Sequence, residues 1–104
     1  MCFLLLLIIS KTLIMTKRFF NDFCREFMDV IDSYLNDGAW EVTNRWFENG
    51  RGEITIEYDY DEIDWEEVDP DWEGSCDSDL CDLCNEWGGS WDWAGSAITW
   101  GFNL

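Results

Sequence analysis

Trp40-Glu41-Val42-Thr43-Asn44-Arg45-Trp46-Phe47-Glu48-Asn49-Gly50-Arg51-Gly52-Glu53-Ile54-Thr55-Ile56-Glu57-Tyr58-Asp59-Tyr60 is the stretch whose pairing decides the fold. Trp40, Val42 and Trp46 alternate with polar residues on one side of Asn49-Gly50-Arg51-Gly52, and Ile54, Ile56, Tyr58 and Tyr60 do so on the other. A period of two around a Gly/Asn cluster marks a β-hairpin with one buried face. A two-residue Asn49-Gly50 loop, the usual one, sets Trp46 opposite Glu53 and Val42 opposite Glu57, which splits the apolar face. A register shifted by one pairs Trp46 with Ile54, Val42 with Tyr58 and Trp40 with Tyr60, around a loop of three or five residues. Because a one-residue slip turns every side chain to the opposite face, the continuous apolar face predicts this second register. The outer face then carries Glu41, Glu53, Glu57 and Asp59, with Thr43 and Arg45 between them.

Upstream, residues 17–37 place Phe20, Phe23, Cys24, Phe27, Met28, Ile31, Tyr34 and Leu35 at spacings of three and four, which predicts an amphipathic helix. Arg18 can meet Asp22 and Arg25 can meet Asp29 across one turn. Asn36-Asp37-Gly38 supplies the stop, with Gly38 free to take a left-handed conformation. Downstream, residues 59–73 are densely acidic, and Ile63, Trp65, Val68 and Trp72 interleave with the carboxylates and tie the segment to a core. Pro70 closes whatever regular element precedes it. Ser78–Trp87 reads as a short second helix, with Ser78 as N-cap, Leu80, Leu83, Cys84 and Trp87 buried, and Gly88-Gly89 at its end. Ile98, Trp100, Phe102 and Leu104 alternate as a strand, paired with Trp91–Trp93 through Gly95-Ser96. No internal repeat is read. The sum is an α+β fold with an N-terminal amphipathic helix, an antiparallel β-hairpin, a short second helix and C-terminal strands, in a single domain over 15–104.

The 104 residues suit one domain, and 47% hydrophobic content with eight Trp and seven Phe is too apolar for a disordered chain. The net charge is −17, from six basic and 23 acidic residues, with no His. Residues 1–51 hold all six basic and seven acidic residues; residues 52–104 hold sixteen acidic residues and no basic one. Binding to a nucleic-acid backbone needs Lys and Arg, so direct nucleic-acid binding is not expected. Catalysis by His and zinc sites containing His are excluded outright. No nucleophile–base pair, phosphate loop or cofactor fingerprint is present, and the expectation is a protein that is not an enzyme.

Residues 2–9 are a continuous apolar run, too short to span a bilayer before Lys11 interrupts it, and not preceded by the basic residues of a secretory signal. Residues 1–14 are read as an apolar extension, either ahead of the true start near Met15 or a weak membrane segment. The odd number of cysteines and the lack of a signal point to reduced thiols and a cytoplasmic location.

Two constellations carry metal alternatives. Cys76, Cys81 and Cys84, spaced C-x4-C-x2-C, resemble the start of the plant-type ferredoxin motif without its fourth cysteine, and a zinc site would need Cys24 or a carboxylate as well. Asp69, Asp71, Glu73 and Asp77, with Gly74 at the sixth position, resemble the calcium loop of EF-hand proteins, although Leu80 stands where that loop has its bidentate Glu. The leading expectation is the acidic face itself, formed by Glu57, Asp59, Asp61, Glu62, Asp64, Glu66 and Glu67. Carboxylates at alternate strand positions stand about 7 Å apart, near the spacing of phosphates along one DNA strand. Such a face can occupy the basic cleft of a nucleic-acid enzyme. In general character it is similar to the small acidic phage-type inhibitors of restriction or CRISPR enzymes, with no particular family indicated. The simpler alternative is an acidic face that serves solubility alone.

Overall fold

The computed structural model describes residues 16–102. The expectations placed on residues 1–14 and on Leu104 lie outside that range. Helix α1 runs Lys17–Tyr34, opened by Thr16, whose hydroxyl accepts the Phe19 N–H at 3.1 Å. Phe20, Phe23, Cys24, Phe27 and Ile31 form its buried stripe, as their spacing requires. The helix ends as Leu35 turns extended, its N–H still donating to the Ile31 carbonyl, and Gly38 follows at φ +87. Arg25 reaches back to Asp22 at 4.0 Å rather than forward to Asp29; the pair is exposed and contributes little.

Strands β1 (Trp40–Glu48) and β2 (Arg51–Tyr58) form the hairpin, but in the register that the continuous apolar face argued against. The loop is the two-residue Asn49-Gly50 turn, with φ +53 and +77 as a type I′ turn demands, and Trp46 does sit opposite Glu53. The apolar face survives because β1 bulges at Thr43, so that Val42 pairs with Ile56 and Trp40 with Tyr58. An extra residue reverses the alternation partway along the strand. Trp40 and Val42 face the core before the bulge and Phe47 after it. Trp46 is left on the outer face, 42% exposed, its indole N–H donating to Glu53. Arg45 lies on the helix side of the sheet rather than on the outer face and remains exposed; its guanidinium donates to Asn21 at 2.7 Å and lies 6.0 Å from the Phe20 ring centre.

Helix α2 spans Trp72–Trp87, six residues longer at its start than the Ser78 cap predicted. Trp72, Cys76, Leu80 and Leu83 form its buried stripe. Gly74, Ser75, Asp77 and Asp79 are weak helix formers, and packing of that stripe outweighs them. Strands β3 (Ser90–Ala94) and β4 (Ala97–Phe102) follow as a second hairpin around Gly95-Ser96. The sheet order is β1-β2-β4-β3, antiparallel throughout.

Both helices pack on one face of the sheet. Phe23 and Phe27 of α1 meet Trp100 of β4, and Trp72 of α2 meets Tyr58 of β2 and Trp93 of β3, all with ring centres within 6.0 Å. The core is unusually aromatic, which lets a domain of this size bury large areas per residue. Among the described residues no helix is long and apolar enough to cross a membrane.

Candidate functional site

The connection from β2 to α2 is built from three copies of one turn. Asp59, Asp64 and Asp69 each accept, on a side-chain oxygen, the N–H two residues on: Asp61 at 2.9 Å, Glu66 at 3.1 Å and Asp71 at 2.9 Å. Each of the three also accepts, on its main-chain carbonyl, the N–H three residues on: Glu62, Glu67 and Trp72, all at 3.0 Å. These are Asx turns closing β-turns, with a period of five residues. The sequence shows the same period, Asp-Tyr-Asp-Glu-Ile, then Asp-Trp-Glu-Glu-Val, then Asp-Pro-Asp-Trp, so the chain does contain an internal repeat. Ile63 and Val68 close the first two steps and are buried, as is Trp72 in the third.

The Asn36 side chain fastens this ladder to the end of α1, its amide donating to the Glu62 carbonyl at 3.1 Å and its oxygen accepting the Asp64 N–H at 2.8 Å. The Asp59 N–H donates to the Ala39 carbonyl at 2.9 Å. The first half of the ladder is therefore pinned, at Asp59, Glu62 and Asp64, to the end of α1 and the start of β1.

Of the residues expected to meet a partner, Glu57 lies on β2 and Asp59, Asp61, Glu62, Asp64, Glu66 and Glu67 lie on the ladder, all exposed. Only Glu57 is on a strand, so the alternate-position strand spacing does not describe the set as a whole. Asp59 and Asp64 hold turns, whereas the side chains of Asp61, Glu62, Glu66 and Glu67 have no hydrogen bond or ion pair among the described residues. Among the described residues the single ion pair is Arg25–Asp22, so none of the ladder carboxylates is matched by a cation. Glu41, Glu57, Asp59, Asp61 and Glu62 border one open depression of about 700 Å³, together with Trp40, Tyr58 and Tyr60.

Reading the sequence did not single out the aromatic part of this surface. Tyr60 and Trp65 occupy the same position in successive steps and remain 46% and 44% exposed. Their rings stack 6.3 Å apart at 11°, and the Trp65 indole donates to the Tyr60 carbonyl. The five-residue period was the signal that could have found them.

The carboxylates of α2 behave differently. Tyr34 donates to Asp79 and, at 3.2 Å, to the Ser75 carbonyl. Tyr58 donates to Glu73 at 3.2 Å, and one oxygen of Asp77 accepts both the Trp91 and Trp93 indoles at 2.9 Å. These acids fasten the helix to its neighbours. The tyrosines register this: the hydrogen bond to Asp79 pushes Tyr34 up to about 12, and burial drives Tyr58 strongly upward, with Glu73 and Tyr60 adding to it.

Among the described residues neither metal constellation is drawn together into one cluster. Residues 72–80 are helical where an EF-hand loop would be irregular, Asp69 belongs to an Asx turn, and Glu73 and Asp77 are engaged by aromatic donors. Cys76 is buried, Cys81 is exposed, and the Cys84 thiol donates to the Gly89 carbonyl at 3.3 Å. Burial pushes the Cys24 thiol up to about 11 and the Cys76 thiol up to about 12, so both are protonated at neutral pH. Among the described residues no group of three or more Cys, Asp or Glu side chains is placed to hold a metal ion.

Comparison with protein-family models, with curated proteins and with solved structures finds no match to this chain.

Proposed function

We propose that this chain is a non-enzymatic interaction protein that binds a basic, nucleic-acid-handling partner as an anionic decoy and so inhibits it. The supporting observation is the ladder of residues 59–71, in which exposed carboxylates are held on a backbone of closed turns with no matching cation among the described residues. A cleft built for phosphates is lined by Lys and Arg. Carboxylates already fixed in place meet such a cleft with little ordering cost, and long-range attraction speeds the encounter. The same charge keeps the protein itself off nucleic acid. Inhibition of the phage type would follow from simple occupancy of the cleft.

The test is retention of a basic nucleic-acid enzyme on the immobilised protein at low salt, followed by competition with duplex DNA. Release by salt and displacement by DNA support the decoy reading. Retention that ignores both would overturn it. Asp61→Asn, Glu62→Gln, Glu66→Gln and Glu67→Gln together should abolish retention with the fold intact, because none of these side chains closes a turn. Charge reversal at Asp64 is a poorer probe, since it removes an Asx acceptor along with the charge.

A further inference from the structure

The depression bounded by Trp40, Tyr60, Glu41, Glu57, Asp61 and Glu62 combines aromatic walls with carboxylates, and an acidic decoy alone has no need of the rings. We propose that it is a socket for an arginine side chain of the basic partner, with the guanidinium against aromatic faces and paired with the surrounding carboxylates. This rests on the interaction-protein reading above and adds what anchors the partner.

Guanidinium is the cation that fits this chemistry. It is planar, weakly hydrated and always charged, stacks on aromatic rings and pairs with carboxylates through two parallel N–H bonds. An ammonium group is compact and strongly hydrated, and it draws less from the rings. A phosphate or nucleobase would have to approach through the negative potential of the bordering acids. The socket is also held in shape before any partner arrives. Tyr60 stacks on Trp65 and meets Tyr58 edge-on at 5.4 Å, and Tyr58 is buried and hydrogen-bonded to Glu73 and to the Gly95 carbonyl. A ring fixed on two sides loses little freedom when a side chain settles on it, which is the property of an interface hot spot.

Oligo-arginine and oligo-lysine peptides of equal length, titrated into the full chain with calorimetry and tryptophan emission as readouts, test the proposal. The arginine peptide is expected to bind about three- to ten-fold more tightly than the lysine peptide. Tyr60→Leu, which keeps apolar bulk but removes the ring, should bring that ratio close to one while changing lysine affinity less than about two-fold. Tyr60→Phe keeps the ring and should keep the preference, so a loss in Tyr60→Leu caused only by a disturbed fold would show as a lost melting transition in one variant and not the other. Equal binding of the two peptides, or an arginine preference that survives in Tyr60→Leu, overturns the socket and leaves the anionic-surface reading standing. Failure of both peptides to bind at low salt overturns both.

Discussion

At Gly52 a single hydrogen decides the packing of the hairpin onto α1. A β-carbon built there would lie 2.5 Å from two carbons of the Phe20 ring. That ring has nowhere to go, because it is buried and packed between Phe47 and Phe102, with centres 5.5 Å and 6.3 Å away. Gly52→Ala is therefore expected to destabilise the domain by about 1–3 kcal/mol, measured by urea denaturation followed through tryptophan emission. A change within error would mean that Phe20 can move aside. The ladder aspartates allow a sharper comparison. Asn can make the same Asx turn as Asp without its charge, so Asp64→Asn should leave the turn intact and Asp64→Ala should not. The alanine variant is expected to be less stable than the asparagine variant by about 1 kcal/mol in the same experiment. Equal stabilities would show that the carbonyl of Asp64 closes the turn unaided.

Helices and strands differed in how plainly the sequence announced them, for physical reasons. Helix α1 was legible throughout because its stripe from Phe20 to Ile31 keeps one period. Helix α2 was legible only in its second half: Trp72 and Cys76 extend the stripe upstream, but Gly74 and Ser75 between them read as loop. The hairpin's register was misread because the bulge at Thr43 reverses the alternation within one strand, so no single phase covers Trp40, Val42 and Phe47. The acidic connection is ordered, as its interleaved apolar residues require, but a period of five matches neither a strand nor a helix, so hydrophobic periodicity does not reveal its regularity. Among its apolar residues, Ile63, Val68 and Trp72 reach the core as expected, whereas Trp65 remains outside. Of the candidate surface, the carboxylates were legible and their separation into turn-closing and free ones was not.

The pairing of α1 with α2 also carries a titration. Cys24 and Cys76 are pushed from 9.0 to about 11 and about 12, mainly by burial, and Tyr34 from 10.0 to about 12, mainly by its bond to Asp79. Each folded value lies above the unfolded one, so the unfolded chain gives up these protons first as pH rises. Their contribution to stability is complete below about pH 9 and drains away between there and about pH 12. Urea midpoints should therefore hold level with respect to these groups up to about pH 9 and fall above it, and Cys76→Ala should flatten the fall. A midpoint that falls no less steeply in that variant would show that Cys76 does not carry it.

Across the whole molecule, the fold carries −17 with one exposed ion pair among its described residues. Mutual repulsion of this kind opposes compactness and is relieved by dissolved ions. Raising salt from low to about 0.5 M at neutral pH should raise the melting temperature by about 5 °C, the equivalent of roughly 1 kcal/mol in a domain of this size. On the decoy reading proposed above, the same salt should weaken binding to a basic partner, so the two responses have opposite signs. A melting temperature indifferent to salt would mean that the carboxylates are too far apart to trouble one another.

The five-residue step of the acidic connection bears on how such a chain can vary from one generation to the next. Its shape depends on Asp59, Asp64 and Asp69 and on the buried Ile63 and Val68, while the side chains of Asp61, Glu62, Glu66 and Glu67 are occupied with nothing internal. Substitutions at those four positions are expected to leave the turns closed, because the bonds that close them run through Asp59, Asp64 and Asp69. If the proposed decoy function holds, a lineage facing a partner that alters its own surface has these positions at which to redraw its charges, one at a time, on an unaltered frame.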